Sequence, residues 1–247
     1  MTTHVVTGPF GYTGRYITDS LLAAGHDVRG LTDRRAATPR AIATSPYHFD
    51  DPAALVPSLR GADTLVNTYW VRFDRGSTTF DLAIARVGLL LKAARDAGVR
   101  RVVQVSVTHA DPTSPLPYFR GKGVLEQMVR DSGLSYAIVR PALVVGRGDI
   151  LLNNIAWFLR HVPVFGLPGG GGYRVQPIHA RDLADAVVTA AGRTENQEFD
   201  AVGPDTMTFA ELVEAMRVAL GSHCRVLPMP QRLALAGTAL AGLLLRD

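Results

Sequence analysis

The sequence predicts an α/β fold in which a parallel sheet is covered by helices on both faces. Short valine-rich apolar runs alternate with segments of helical periodicity up to Pro141, and an apolar run without polar alternation is the pattern of a strand buried on both faces. A glycine-rich stretch follows the first such run and opens the first helical segment, the strand, turn and helix order of a doubly wound sheet. At 247 residues, 47% hydrophobic and 19% charged, the chain can bury one large core with a smaller lobe appended.

In chain order the expected strands are His4 to Thr7, Asp27 to Thr32, Tyr47 to Phe49, Thr64 to Thr68, Arg101 to Ser106 and Ser135 to Val139, several of them rich in β-branched residues. Helical periodicity falls between them over Thr13 to Ala24, Pro52 to Leu59, Thr78 to Ala97 and Tyr118 to Asp131, the last two stopping near Gly98 and Gly133. After Pro141 the alternation loosens into a helix at Leu151 to Arg160, a glycine-rich turn at Gly169 to Gly172 and a strand at Tyr173 to Pro177. A helix over Arg181 to Ala191, a strand near Phe199, a helix over Phe209 to Leu220 and a strand near Val226 complete the expectation. These elements divide the chain into a nucleotide-binding core, 1–145, and a smaller α/β C-terminal lobe, 146–247, interleaved with the core. The apolar segment from Leu233 to Leu245 is too short to span a bilayer and is interrupted by Gly237 and Gly242. It reads as a docking helix, a contact for a second copy in a homodimer or for another partner.

Composition narrows the function classes. The charge of +4 comes from 26 basic and 22 acidic residues scattered along the chain, so no basic block marks a nucleic-acid partner. Cys224 is the lone cysteine, which excludes an internal disulfide and a cysteine-rich metal site and fits a reducing, cytoplasmic setting. His109 and His179 lack the clustered acids or thiols of a metal site. The opening residues run directly into a strand, with no charged and apolar leader pattern ahead of it.

The segment from Val5 to Ile17 places Gly8, Gly11 and Gly14 at the first strand-to-helix turn. Gly8 permits the tight turn, Gly11 lets backbone approach a diphosphate, and Gly14 lets helix and strand pack closely, while the helix start offers N–H groups and the positive end of its dipole. The pattern is that of a Rossmann-type domain holding NAD or NADP, and Phe10, Tyr12 and Thr13 belong to the same contact set. Asp33, about twenty residues beyond the glycines, suits the ribose hydroxyl of NAD. Arg34 and Arg35 follow it and suit a 2′-phosphate, and Thr32, where NAD users often carry aspartate, tilts the balance slightly to NADP. Asp50 is placed either to meet the adenine amino group or to cap the helix beginning at Pro52. Asn67, Thr68, Ser106 and Pro141 stand at strand ends on the edge where such folds bind ligands.

Tyr118-Phe-Arg-Gly-Lys122 sets a phenol and an ammonium at i and i+4, on one helix face. A nearby ammonium lowers a phenol's pKa and readies it to exchange a proton with a carbonyl or hydroxyl. Lys92 and Lys122 are the only lysines in an arginine-dominated chain, so a lysine kept here points to lysine chemistry. Ser106 and Thr108 supply hydroxyls at the same edge, and Trp70, Arg72 and His109, with Trp157 and Tyr173 from the later lobe, are candidates to line a substrate.

These residues resemble the short-chain dehydrogenase/reductase superfamily, in its extended and atypical branch of epimerase-like and NmrA-like proteins. The resemblance covers nearly the whole chain and rests on the Gly8/Gly11/Gly14 turn, the Tyr118/Lys122 pair, the Ile138 to Pro141 strand end and the stretch from Val175 to Asp185. It implies Thr108 as the active-site hydroxyl, Tyr118 as acid/base and Lys122 as the ribose-binding lysine. It departs where Ser106-Val-Thr108 replaces successive hydroxyl residues. The expected function is an NAD(P)-dependent oxidoreductase acting on a small organic carbonyl or alcohol. The alternatives are a non-catalytic dinucleotide-binding sensor and a sugar-type epimerase or dehydratase using the cofactor transiently.

Overall fold

The structure, a computed structural model, describes residues 2–34, 42–74 and 76–230. From the N-terminus the elements are β1 (Thr3–Thr7), α1 (Tyr12–Ala23), β2 (Asp27–Leu31), β3 (Ala43–Ser45), α2 (Leu55–Leu59), β4 (Thr64–Asn67), α3 (Phe80–Asp96), β5 (Arg101–Val105) and α4 (Pro117–Arg130). Then come β6 (Ser135–Pro141), β7 (Leu143–Val145), α5 (Ile150–His161), β8 (Val164–Pro168), β9 (Arg174–Val175) and β10 (Pro177–His179). The last are α6 (Ala180–Ala191), β11 (Gln197–Ala201), β12 (Met207–Thr208), α7 (Phe209–Ala219) and β13 (Arg225–Met229). They form two compact units, Met1–Val144 with Ile178–Val202, and Val145–Pro177 with Gly203–Asp247.

The first unit is built on a seven-stranded sheet in the order β11-β6-β5-β4-β1-β2-β3, with every pairing parallel. The order reverses between β1 and β4, and a crevice opens at such a switch point beyond the strands' carboxyl ends. Successive side chains of a strand face opposite ways, so Val5 and Val6 feed two separate cores. On one face Val5, Leu65, Val102 and Ile138 pack with Leu59 of α2, Leu90 of α3 and Leu125 of α4. On the other Val6, Val66, Val103 and Val139 pack with Ile17 and Leu21 of α1 and with Leu183 and Val187 of α6. Each such side chain contributes about 1.5–3 kcal/mol on burial.

Two expectations are corrected here. Tyr47 to Phe49 is not a strand; the edge is β3, whose residues are largely exposed and so lack an apolar signature. Tyr47 is buried for another reason, stacked on Phe49 at 4.9 Å and edge-on to Tyr69 at 5.1 Å. Asp50 does not cap the turn at Pro52, because Asp51 occupies that position.

In the second unit, β8 pairs in parallel with β13 and β9 pairs antiparallel with β12. Asp149 caps α5 through the Leu152 N–H at 2.5 Å, and a reciprocal Thr208/Glu211 capping box starts α7. Strands β7, β8 and β12 are additions to the expected set. The apolar segment from Leu233 to Leu245 and Arg35 lie outside the described residues. Among the described residues no helix is long and apolar enough to cross a membrane.

Candidate active site

The glycine turn joins β1 to α1 at the carboxyl edge of the sheet. Gly8 sits at φ +63°, its N–H donates to Leu31 O at 2.8 Å, and its carbonyl accepts the Gly11 N–H at 2.9 Å. A Cβ on Gly14 would fall 2.0 Å from the Gly8 carbonyl oxygen and collide with the turn, and one on Gly11 would crowd the same oxygen at 3.2 Å. The turn is braced against β2, where a Cβ on Gly30 would meet the Pro9 ring at 2.6 Å. The residue at the head of α1 is Gly11, which has no side chain to occupy the N–H groups of the first turn. A cradle of this kind fits an anionic diphosphate.

Behind the turn a chain of buried polar groups runs along the strand ends. The Thr7 hydroxyl donates to Asn67 Oδ1 at 2.9 Å and accepts the Thr68 and Tyr69 N–H groups at 2.7 and 3.0 Å. Asn67 Nδ2 donates to Gln104 Oε1 at 2.8 Å, and Gln104 Nε2 to the Val105 carbonyl at 2.9 Å. Asn67 is therefore fully buried and internally bonded, so its side chain does not face a cofactor, contrary to expectation. The Thr68 hydroxyl lies against the turn and donates to the Thr7 carbonyl. Beyond β2, Asp33 Oδ1 accepts the Tyr47 N–H at 3.0 Å and the Thr32 hydroxyl accepts the Arg34 N–H at 3.1 Å, with Asp33, Arg34 and Asp50 all exposed. Phe10, Tyr12 and Thr13 are half-buried around the head of α1, where the Tyr12 hydroxyl donates to the Val144 carbonyl at 3.4 Å.

Helix α4 brings the phenol and the ammonium to the same edge. It starts at Pro117, whose fixed φ suits a first helical position, and its face is shaved by glycine. A Cβ on Gly121 would fall 2.7 Å from the Trp70 ring, and one on Gly123 2.2 Å from the Pro112 nitrogen. The loop carrying Thr108 and His109 is thereby held on α4, with the Asp111 N–H donating to the Phe119 carbonyl at 3.2 Å. Thr108 is anchored by its N–H to the Pro141 carbonyl at 3.1 Å, and His109 is exposed with φ +61°. Tyr118 is half-buried, edge-on to Trp70 and Phe80 at 6.1 and 6.0 Å. The Trp70 indole N–H is buried without an acceptor among the described residues, a state that costs about 1–3 kcal/mol.

The electrostatics reverse one expectation. Burial raises the Tyr118 pKa above the ordinary phenol value, and the cation that opposes it is exposed Arg72, not Lys122. Lys122 is turned inward instead: it is 4% exposed, donates to the Val105 carbonyl at 3.0 Å and stands 5.0 Å over the Trp70 ring. Burial lowers its pKa to about 7, with Glu126 pulling the other way. Ser106, expected to face ligand, is 5% exposed and donates to Glu126 Oε1 at 2.6 Å, so its hydroxyl is committed inside the protein. Glu126 was missed by sequence reasoning, although Tyr118, Lys122 and Glu126 follow one another every four residues along a single helix face. Trp157 and Tyr173 belong to the second unit and are about half exposed, stacked on His161 at 4.7 Å and Phe209 at 5.2 Å. A cleft of about 710 Å³ between the end of α5 and the Leu220–Arg225 segment, also in the second unit, includes none of the expected site residues.

Sheet order, switch point and glycine turn together define a Rossmann-type α/β protein. The chain belongs to the NAD dependent epimerase/dehydratase family, whose model matches residues 4–202. It is 28% identical over 252 residues to the Arabidopsis thaliana mitochondrial protein named NADH dehydrogenase [ubiquinone] 1 alpha subcomplex subunit 9, covering 95% of this chain and 62% of that one. It is 28% identical over 200 residues to the NAD(P)H azoreductase of Xenophilus azovorans, covering 80% of this chain and 65% of that one. It thus spans less than two thirds of the length of either relative. Among solved structures, the Bordetella bronchiseptica enzyme WbmH in complex with NAD+ matches 93% of this chain and 86% of its own, with a TM-score of 0.79 at 20% identity. That likeness is one of fold.

Proposed function

We propose that this chain is an NAD(P)-dependent oxidoreductase that acts on a small organic carbonyl or alcohol, with Tyr118 as the proton-exchanging group. The observation that supports it best is the gathering, on one edge of the sheet, of a side-chain-free turn at a helix start and a half-buried phenol that burial keeps protonated. In this reading Gly8, Phe10, Gly11, Tyr12, Thr13 and Gly14 receive the diphosphate, and Asp33, Arg34 and Asp50 receive the adenosine end. Asp33 already accepts a backbone N–H and Arg34 is exposed beside it, which favours NADP over NAD. A bound nicotinamide would supply or take up the hydride. The Thr108 hydroxyl orients the reacting oxygen, and Tyr118 Oη, a neutral phenol, donates the proton in the direction of reduction. Lys122, seated on the Val105 carbonyl, would have to turn one of its remaining N–H groups outward to hold ribose, and Trp70, Arg72 and His109 line the substrate.

A second reading, a dinucleotide-binding subunit without turnover, is favoured by the similarity to the NADH dehydrogenase alpha subcomplex subunit. The family name adds epimerisation or dehydration as the same residues' third use. Calorimetry with NADH and NADPH, followed by nicotinamide absorbance with a panel of carbonyls and nucleotide sugars, separates them. The oxidoreductase reading expects cofactor binding and net oxidation of cofactor, with Tyr118→Phe lowering turnover about 10²–10⁴-fold while binding stays within about twofold. Binding without turnover of any substrate selects the subunit reading, and absence of binding by folded protein removes all three.

A further inference from the structure

The carboxylate of Glu126 is 2% exposed, deep for an ionised group. It is also fully bonded. Oε1 accepts the Ser106 hydroxyl at 2.6 Å and Arg140 Nε at 2.9 Å, while Oε2 accepts Arg140 at 2.6 Å and Arg130 at 3.1 Å. Both guanidiniums continue to Glu198 on β11, Arg130 at 2.7 Å and Arg140 at 2.6 Å. An ion network that only tied α4 to β6 and β11 would need the two arginines and Glu198. Nothing in that task calls for a bond from the buried carboxylate to Ser106, the residue that follows β5. One residue earlier, the Val105 carbonyl receives the Lys122 ammonium. Glu126 lies one helical turn beyond Lys122 on the same helix face, and its bond to Ser106 fixes the residue next to the carbonyl on which that cation is seated.

We propose that Glu126 is a positioning residue of the candidate site: it fixes the end of β5 through Ser106, beside the Val105 carbonyl on which Lys122 is seated, and its charge favours the ammonium form of Lys122. The inference rests on the role proposed above for Lys122. Among the described residues the charged and titratable groups around this part of the unit include Tyr118, Glu126 and Arg130 on α4, Arg72 after β4, Tyr136 and Arg140 on β6 and Glu198 on β11. Of these, Glu126 is the one that acts on Lys122, and it raises its pKa against the pull of burial.

With only two lysines in the chain, full-length cofactor-free protein labelled with carbon-13 at lysine Cε gives one titrating signal for Lys122 and one for Lys92, whose side chain is 69% exposed. In the wild type the Lys122 signal is expected to titrate well below the ordinary lysine range, near 7. In Glu126→Gln its midpoint falls by about one pH unit with Lys92 unmoved, and Glu126→Asp restores most of the difference. Glu198→Gln, which cuts the network at its outer end, leaves the Lys122 midpoint at the wild-type value. A midpoint unchanged in Glu126→Gln, or moved equally by Glu198→Gln, overturns the proposal. If Glu126→Gln does not fold, the double variant Glu126→Gln/Arg140→Gln removes the carboxylate with its main partner and keeps the Arg130–Glu198 pair. The same fall is expected there, and its absence is equally decisive. The measurement needs no bound dinucleotide, so failure of the cofactor reading and failure of this one are separate results.

Discussion

The two edges of the central sheet bury the same kinds of group and use them differently. At the amino edge Arg101, 4% exposed, donates to the carbonyls of Ala190, Thr194 and Glu195 and to the Ser135 hydroxyl, clamping the end of α6 to the sheet. Nearby His4, 2% exposed, shares the Thr2 hydroxyl with His26 and leaves Nδ1 without a partner among the described residues. At the carboxyl edge the buried ions stand beside a half-buried phenol and a turn stripped of side chains. Perturbed ionisation occurs at both edges, so it does not by itself mark a site. Position at the strands' carboxyl ends, with backbone left open, is what separates the two.

The contrast is broken most severely at Gly14. Gly14→Ala forces a methyl against the Gly8 carbonyl and is expected to cost about 3 kcal/mol or more, with dinucleotide binding lost; urea denaturation and calorimetry read both. Arg101→Met should cost a similar amount, about 3 kcal/mol, yet leave dinucleotide affinity within about twofold, since its bonds all lie at the other edge. A large loss of affinity there would erase the distinction.

The amino edge also carries a pH signature. Burial first, then His26, lowers the His4 pKa from 6.5 to about 4, against the opposing pull of Asp63 and Asp27. A histidine held neutral in the fold contributes stability that is complete above about pH 6.5 and lost as pH falls toward 4, on the order of 3 kcal/mol. Urea midpoints measured across that window should fall in the wild type and flatten in His4→Leu. The smallest effect is expected at the exposed end of the cofactor reading: Arg34→Ala should weaken NADP binding about tenfold and leave NAD binding and stability nearly unchanged.

What the sequence disclosed follows the same physics. The glycine turn was legible because backbone geometry constrains residue type, and β1, β4, β5 and β6 were legible because burial on both faces demands unbroken apolar runs. Strand β3 was not, because an exposed edge of three residues leaves no such mark, and the aromatic Tyr47 beside it imitates one. In α4 the spacing of Tyr118 and Lys122 placed both on one face, but spacing says nothing of which way a long side chain turns. The inward turn of Lys122 to the Val105 carbonyl, and the bond between Ser106 and Glu126 twenty residues apart, depend on packing that no local pattern encodes.

The order of synthesis is constrained by the excursion between β6 and β10. The edge strand β11 pairs with β6 over Gln197 to Ala201, and α6, which covers one sheet face, precedes it by only a short loop. Until a ribosome has released residues up to Ala201, the emerging sheet stays one strand short, with one apolar face covered by α1 but not yet by α6 and Arg130 and Arg140 waiting for Glu198. While Val145 to Pro177 are being made, the first unit is thus expected to expose apolar surface that α6 and β11 later cover.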